Sequence, residues 1–342
     1  MTKVKKRANP RAKESKYRYV LERDGVTASM LSLWLMCREQ CRLKYIEGWA
    51  GSGLSKPLDY GSCVHYINHQ VYANKQWTAD SGTINNYVLD YHELWKQEIA
   101  ERGKFRTTSK EYQDHATVCR WAASVVPVYM KRIVMKDALY NDPKREWQSI
   151  EGKFKTISAT GIPIRGRIDG VYKKGGKLWL LETKNLGRFD EEDISEAMGM
   201  NLQVMLYLWA LRSISDVPVG GVMYNLMKRP QLRQGKVETT DQFGARVHDH
   251  VNDPDKMDEY FCRVECRFTD AEIDQWAISQ LEPILDEFKH WAVHASLGAH
   301  AHCYANPGSL HMYNRCSEFF EVITRGDYSK VRRRLHVHLE LE

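Results

Sequence analysis

Long apolar segments are missing from this sequence. No run of about 18 apolar residues occurs, so we expect no membrane-spanning helix. The basic N-terminal stretch is not followed by the apolar segment of a secretory signal peptide. The chain also lacks an internal repeat and a low-complexity tract, which argues against a repeat protein. These absences indicate a globular protein without a membrane partner, and we expect it in the cytoplasm.

A recognisable four-cysteine zinc motif is missing as well. The chain has eight cysteines, and in a reducing compartment these are thiols or metal ligands rather than disulfides. Cys262 and Cys266 have no second pair at zinc spacing and alternate along an apparent strand, so we interpret them as packing residues.

The composition is that of an ordinary globular protein with a sizeable core. Of the 342 residues, 43% are hydrophobic, 27% charged and 11% aromatic, which is too rich in aromatic side chains for a disordered chain. The net charge of +6 permits a polyanionic partner without proving one. Basic residues cluster near both ends, at Lys3–Arg7 and Arg332–Arg334, where they are either nucleic-acid contacts or solvated tails.

Apolar spacing predicts a helical front followed by a mixed α/β core. Helical periodicity covers residues 29–45. A second helix is expected from residue 61, and residues 85–140 are expected to be mostly helical. Strands are expected at 150–157, 164–172, 178–181 and 220–226, with an apolar helix at 198–211 between the last two. We expect four segments: a flexible basic tail (1–24), a mainly helical part (25–145), a catalytic core (146–227), and a polar insertion with a C-terminal helical and mixed part (228–342).

Two carboxylates follow apolar residues on neighbouring strands of this core. Asp169 lies on one strand of the expected hairpin, whose loop is 173–176, and Glu182 ends the apolar strand that follows. Carboxylates carried into a hydrophobic sheet are costly unless a cation compensates them. Magnesium binds through a few such oxygens and keeps water and phosphate oxygens as its other ligands.

A lysine accompanies the second carboxylate. Strand alternation places Glu182 and Lys184 on one face and points Thr183 away. The ammonium group would lie beside a cation and a scissile phosphate, where it can orient water or neutralise developing charge.

An Asp, a hairpin and then Glu-x-Lys resemble the signature of the PD-(D/E)xK nuclease superfamily. The resemblance implies a restriction-endonuclease-like mixed sheet flanked by helices, and a nuclease that uses Mg²⁺ or Mn²⁺. Asp169, Glu182 and Lys184 would be its catalytic residues, with Asp169, Glu182 and the backbone carbonyl of Thr183 as metal ligands.

Further motifs resemble the RecB-type branch of the superfamily, its phage-encoded members in particular. Gln203 and Tyr207 match the Gln-x-x-x-Tyr motif, which in that branch lies beside the lysine and contacts DNA. His65 matches the histidine that ligates metal there. The Ser29-x-x-Ser32 motif resembles the start of the opening helix of these proteins. The resemblance as a whole runs from about residue 29 to about residue 322.

Other positions carry open alternatives. Glu151 is either a metal or supporting carboxylate or a strand-end surface charge. Lys228, Arg229 and Arg233 either follow the DNA backbone or belong to an ordinary solvated loop.

Many RecB-type relatives, including the CRISPR-adaptation nucleases, hold a [4Fe-4S] cluster on four cysteines. In this chain Cys37 occupies the first of the four cysteine positions. The other three positions are occupied by Leu310, Ser317 and Ile323, and Cys316 lies one residue before the position of Ser317. We therefore expect no cluster, with Cys37 and Cys316 as remnants and apolar packing in its place. The alternative combines Cys37 with Cys41, Cys303 and Cys316.

The resemblance implies a DNA exonuclease that acts on ends or single strands in recombination or end processing. A phage-type enzyme would work beside a single-strand annealing or recombination protein, in the cytoplasm of the bacterial host. A silent DNA- or protein-binding module on a nuclease fold is the alternative, although the intact Asp169, Glu182 and Lys184 argue against it. A different metal enzyme, or a structural protein with chance motifs, does not account for the order of the motifs.

Overall fold

A computed structural model shows that the chain forms two compact units. The terminal unit comprises Met1–Gly53, Lys153–Arg167 and Ile273–Glu342, and the central unit comprises Leu54–Gly152 and Ile168–Glu272. The structure describes residues 19–73, 80–101, 106–134, 146–188, 190–298, 302–312, 315–334, 336–338 and 341.

Helices and strands alternate through most of the described chain. The α-helices are α1 (Leu21–Asp24), α2 (Ala28–Met36), α3 (Arg38–Cys41), α4 (Lys56–Ala73), α5 (Ser81–Glu101), α6 (Lys110–Tyr129), α7 (Glu191–Ala197), α8 (Leu202–Ile214), α9 (Thr240–Asn252), α10 (Met257–Tyr260), α11 (Asp270–Trp276), α12 (Glu282–Ser296), α13 (Pro307–Leu310) and α14 (Phe320–Arg325). The strands are β1 (Trp49–Gly51), β2 (Glu146–Ile157), β3 (Pro163–Lys174), β4 (Lys177–Leu186), β5 (Val219–Lys228), β6 (Phe261–Arg267), β7 (His311–Met312), β8 (Arg315–Cys316) and β9 (Val331–Arg333). Short π-helical turns cover Arg42–Ile46, Met130–Val134 and Ala277–Leu281, and a 3-10 turn covers Met198–Met200.

A five-stranded mixed sheet in the order β2-β3-β4-β5-β6 organises the central unit. The pair β3–β4 is antiparallel and β4–β5 is parallel, while β6 returns antiparallel to β5. The β3–β4 hairpin turns at Gly175 and Gly176, which both have positive φ (59° and 76°), as a tight two-residue turn requires. The mixed α/β architecture predicted from the sequence is confirmed.

The core of the central unit lies between helices and this sheet. Strand β5 is buried along almost its whole length, which explains its continuous apolar run. Helices α4, α6 and α9 share one buried cluster of large side chains with the sheet. The fully or nearly buried members of this cluster include Tyr60, Val64, Ile67, Val118, Val125, Tyr129, Tyr172, Trp179, Leu181, Met227, Phe243 and Val247.

The terminal unit has its own aromatic packing. Trp34 on α2 meets Phe288 of α12 edge-on, with ring centroids 5.6 Å apart. Strand β1 pairs with β9, and Trp49 packs with Leu43, Phe319 and Val322 in a separate buried cluster. Within the residues that the structure covers, no helix is long and apolar enough to cross a bilayer.

The single helix predicted over 29–45 is wrong, because it breaks at Cys37. Cys37 is extended (φ −162°, ψ 105°) between α2 and α3. Asn306 donates its backbone N–H to the Cys37 sulfur and its side-chain amide to the carbonyl of Met36. A tertiary contact therefore takes over the end of α2, which local periodicity does not reveal.

The expectation of a polar, irregular insertion after residue 228 also needs correction. Residues 240–252 form α9, which begins with a capping box between Thr239 and Gln242. Its charged sequence buries Phe243, Val247 and Val251 at four-residue spacing, and β6 completes the sheet beside β5. Three apolar positions were enough to pack the helix, but too few to stand out in the sequence.

The expected N-terminal tail (1–24) lies only partly within the described residues. Residues 1–18 lie outside the described residues, but α1 follows, with Tyr19 and Leu21 buried. The expectation of a flexible segment up to residue 24 is therefore wrong for residues 19–24. Burial of these two apolar side chains explains the order of this segment.

Candidate active site

Asp169 and Glu182 lie side by side on the antiparallel strands β3 and β4. Gly170 pairs with Leu181, so the two carboxylates follow in register. The backbone N–H of Thr183 donates a 2.7 Å hydrogen bond to Oδ2 of Asp169. Gly170 admits no side chain here, because a Cβ atom would lie 2.7 Å from the ring of Trp147. The hairpin thus presents both acids at one place.

Glu182, Lys184 and Gln203 form a closed triangle of polar contacts. Nζ of Lys184 lies 2.6 Å from Oε1 of Glu182. The Gln203 amide donates to the same Glu182 oxygen at 2.7 Å, and its carbonyl accepts from Lys184 at 2.8 Å. Gln203 comes from the first turn of α8, which Asn201 caps by accepting the N–H of Val204. The helix therefore fixes both functional groups of β4.

One carboxylate oxygen of this triangle has no partner. Glu182 is 1% exposed, and its Oε2 atom is buried without a hydrogen bond. Burying a carboxylate oxygen in this way is costly unless a cation or donor compensates it. This oxygen is therefore a candidate ligand atom for a cation.

A second group of possible ligands lies next to Asp169. His65 on α4 has its Nδ1 atom 3.4 Å from Asp169 and 3.7 Å from Glu151. The ligand atoms of these three residues all lie within 4.8 Å of one another. A histidine more than 100 positions before Asp169 in the sequence thus joins the two acids of the sheet.

The electrostatics of the site show an excess of negative charge. Burial lowers the pKa of His65, but the carboxylates of Asp169 and Glu151 outweigh it and raise that pKa to about 9. Burial raises the pKa of Asp169 to about 7, and Glu182 and Glu151 add to this while His65 opposes it. Burial also lowers the pKa of Lys184, but Glu182 overcomes the effect and raises it. Three carboxyl groups, those of Glu151, Asp169 and Glu182, therefore lie near only two basic groups, His65 and Lys184.

Glu151 reaches this group through an unusual backbone conformation. Its φ of 48° makes it the single non-glycine residue with positive φ within the parts of the chain that are described. The left-handed conformation costs a non-glycine residue roughly 1–2 kcal/mol. The carboxylate of Glu151 lies close to His65, so the strain accompanies a position at the site.

Tyr207 lies one turn after Gln203 on α8 and is 7% exposed. The structure therefore brings Gln203 to the two residues of β4, and places Tyr207 in the packed face of the same helix. The role of Tyr207 in contacting DNA stays a prediction, and its burial leaves it little surface for such a contact.

The three expected DNA-binding cations lie at and beyond the end of β5. Lys184 on β4 pairs with Leu226 on β5, so Lys228 lies two residues further along β5, at the C-terminal end of that strand. Lys228 is paired with Glu259 at 2.9 Å, and Arg229 is half-buried, with its N–H bonded to the carbonyl of Leu186. Arg233 is exposed. The structure thus separates one solvent-facing cation from two that already have contacts within the protein.

The sequence did not single out a polar network behind Thr183. The Asn225 amide donates to the Thr183 hydroxyl at 3.2 Å and to the Tyr129 hydroxyl at 2.7 Å. Arg263 donates to both Asn225 and Tyr129. Asn225 is 1% exposed. The signal that could have found it is a lone amide within the buried apolar run of β5.

The cysteines of the terminal unit differ in their burial. Cys37, Cys41 and Cys303 are buried, whereas Cys316 is exposed on β8. At the expected cluster places, Leu310 is buried and Ile323 packs on the Trp49 cluster. Ser317 donates its hydroxyl to Gln40. Apolar packing and a polar pair thus occupy these places, and the absence of a [4Fe-4S] cluster stays a prediction.

Comparison with known families agrees with this geometry. The family model of the PD-(D/E)XK nuclease superfamily matches residues 26–289. This range includes every residue of the polar triangle and of the His65 group. The chain belongs to the PD-(D/E)XK nuclease superfamily, and its five-stranded sheet with flanking helices has the restriction-endonuclease-like fold of that superfamily. No curated protein matches the chain.

Proposed function

We propose that this protein is a metal-dependent nuclease that hydrolyses phosphodiester bonds of DNA. The observation that carries the proposal is the unpartnered, buried Oε2 of Glu182 beside the group of Asp169, His65 and Glu151. In a member of a nuclease superfamily, such an oxygen and such a group are the donor set of a divalent cation. The superfamily match supports nuclease chemistry, and the substrate is our proposal.

The donor set fits Mg²⁺ or Mn²⁺. Carboxylate oxygens of Asp169 and Glu182, the imidazole of His65 and the carbonyl of Thr183 would hold the ion, and Glu151 would add a carboxylate. Oxygen donors suit both metals, and the imidazole favours Mn²⁺ over Mg²⁺. When bound, the cation supplies Lewis acidity and positive charge for attack on the phosphate.

The protein's own residues provide orientation and charge. Lys184 is held by Glu182 and Gln203, so its ammonium group has a fixed position next to the acids. There it orients the attacking water and stabilises the negative charge that develops on the phosphate oxygens. Gln203 adds one hydrogen bond to each member of the Lys184–Glu182 ion pair.

The DNA would enter along the edge of the sheet beyond β5. Arg233 offers an exposed cation there, and Lys228 and Arg229 add positive charge nearer to the site. Phosphate contacts of this kind fix the position of the strand without reading its sequence. The RecB-type resemblance implies that Gln203 and Tyr207 contact the DNA strand, although the burial of Tyr207 leaves it little surface for such a contact.

We further propose an exonuclease of the RecB-type, phage-encoded branch that acts on DNA ends or single strands. The order of His65, Asp169, Glu182, Lys184, Gln203 and Tyr207 along the chain supports it. Such an enzyme would act in recombination or end processing, beside a single-strand annealing or recombination protein, in the cytoplasm of a bacterial host.

The deciding experiment measures cleavage of two substrates, end-labelled linear DNA and circular DNA, in the presence of Mg²⁺ or Mn²⁺. It compares the native chain with the variants Lys184→Ala and Lys177→Ala. Lys177 is an exposed lysine at the other end of β4 and serves as the matched control. We expect metal-dependent loss of linear DNA by the native chain and the control, and cleavage about 100- to 1000-fold slower by Lys184→Ala. If no metal supports cleavage while the native chain and Lys184→Ala both bind DNA, the nuclease proposal is refuted in favour of a DNA-binding module.

A further inference from the structure

A second cluster of metal-ligating side chains lies among α4, α5 and α6 of the central unit. His115 and Cys119 are four residues apart on α6, so they share one helix face. His92 reaches them from α5, and the ligand atoms of these three residues lie within 4.8 Å of one another. Cys63 of α4 lies beside Cys119, although it is outside the group of three whose ligand atoms are all within 4.8 Å of one another. The cluster shares no residue with the group around Asp169.

His115 is oriented as a metal-binding histidine would be. Its Nδ1 atom lies 2.8 Å from Oδ2 of Asp59, and its Nε2 atom faces the sulfur of Cys119 at 3.4 Å. Tyr91 donates its hydroxyl to the other Asp59 oxygen at 2.8 Å. A carboxylate that fixes one ring nitrogen and leaves the other for the ion is the usual support of a metal-ligating histidine.

His92 provides an independent sign of a missing partner. Its Nδ1 atom is buried without a hydrogen bond. The ring of His92 stacks on that of His115 with centroids 5.1 Å apart, and Trp95 stacks on His115 at 3.9 Å. These aromatic contacts hold both imidazoles in place.

We propose that Cys63, His92, His115 and Cys119 bind a structural zinc ion that ties α4, α5 and α6 together. Two sulfur and two nitrogen donors match a tetrahedral zinc site, and soft thiolates select against Mg²⁺ and Mn²⁺. With ordinary zinc–ligand bond lengths, ligand atoms of such a site lie about 3.3–3.8 Å apart. The Cys119 to His115 distance of 3.4 Å already has this value.

The proposed site stands close in sequence to the nuclease site. Cys63 precedes His65 by two residues on α4, so an ion held by Cys63 would also fix the helix that carries His65. Four ligands from the protein close the coordination shell, which is typical of structural rather than catalytic zinc. The proposal therefore concerns the stability of α4–α6, and does not depend on DNA cleavage.

Metal analysis and cobalt spectroscopy of the full chain test this proposal. We would strip the protein with a chelator, add Zn²⁺ or Co²⁺, and compare the native chain with Cys119→Ser, His92→Gln and the matched control Cys262→Ser. Cys262 is a half-buried cysteine of β6 outside the cluster. Asp169→Ala serves as a second control, because it alters only the nuclease site.

We expect one equivalent of zinc and a thiolate-to-cobalt charge-transfer band in the native chain and in both controls. Cys119→Ser and His92→Gln should lose both, with helix content preserved by circular dichroism. Asp59→Asn should weaken zinc binding about 10- to 100-fold, since it removes the support of His115. Absence of the cobalt band in the native chain, equal zinc in Cys119→Ser, or a Cys63–Cys119 disulfide in the purified protein would each overturn the proposal.

Discussion

The 2.7 Å hydrogen bond from the Thr183 backbone to Asp169 joins the two strands of the nuclease signature. Thr183 also contacts the other neighbouring strand, because its hydroxyl accepts a hydrogen bond from the side-chain amide of Asn225 on β5. The acid on β3 is therefore linked through β4 to a buried amide on β5. This chain of hydrogen bonds runs across three neighbouring strands beside the proposed catalytic groups.

Replacing Asn225 by leucine should destabilise the protein. The change leaves the hydroxyl of Thr183 and the groups of Tyr129 and Arg263 without their amide partner. Unsatisfied buried polar groups cost about 1–3 kcal/mol each. Urea unfolding measures this difference, and Tyr129→Phe should show a smaller loss. Equal stability of Asn225→Leu and the native chain would show that the network does not stabilise the fold.

Lys184→Ala should lower the rate of cleavage about 100- to 1000-fold, as loss of one group that stabilises developing charge does. DNA affinity in the presence of Ca²⁺ should change little, because Lys184 lies beside the acids rather than on the surface beyond β5. Single-turnover cleavage and filter binding separate the two effects. An equal loss in Lys177→Ala would contradict a specific role.

Gln203→Leu should reduce kcat and leave KM for DNA almost unchanged. The substitution keeps the size of the side chain but removes both hydrogen bonds to Glu182 and Lys184. Steady-state kinetics measures the split between kcat and KM. Tyr207→Phe provides a comparison on the same helix, and should keep most of the activity because Tyr207 is buried in packing. A raised KM with native kcat would instead assign Gln203 to DNA binding.

Arg233→Ala should weaken DNA binding more than Lys228→Ala. Arg233 is exposed, whereas Lys228 already pairs with Glu259, so its release from that pair offsets part of any phosphate contact. The slope of log affinity against log salt should fall by about 1 for Arg233→Ala. Fluorescence anisotropy over a salt series measures it. Identical slopes for the two variants and the native chain would favour an ordinary solvated loop.

The loop that carries Arg233 should keep its shape throughout neutral pH. Arg246 and the backbone N–H of Gly235 hold the pKa of Glu238 at about 2, below its ordinary 4.5. A depressed carboxyl pKa means that the contact is fully present above 4.5 and is lost only as pH falls toward 2. Glu238→Gln should therefore weaken DNA binding by the same factor at every neutral pH. A pH-dependent factor in anisotropy would show that another group controls the loop.

Sequence patterns predicted the sheet better than they predicted the site. Strand alternation and the Gly175–Gly176 turn were enough to predict the β3–β4 hairpin and the pairing of Glu182 with Lys184 on one face. His65 could be assigned only by resemblance, since no local pattern shows that a helix over 100 residues earlier reaches Asp169.

The rest depended on tertiary contacts that local spacing does not encode. Asn306 ends α2 at Cys37 from far along the chain. The cluster around His115 takes its members from three helices, so no short motif announces it. Its one local sign was the His115 and Cys119 pair at helical spacing.

The left-handed backbone of Glu151 sets stability against activity at one position. Glycine would adopt φ 48° without strain, so Glu151→Gly should raise the free energy of unfolding by up to about 1 kcal/mol. The same change removes a carboxylate from the group around His65 and should raise the metal concentration needed for cleavage. Selection for a longer-lived fold and selection for a working nuclease would thus choose different residues at this position.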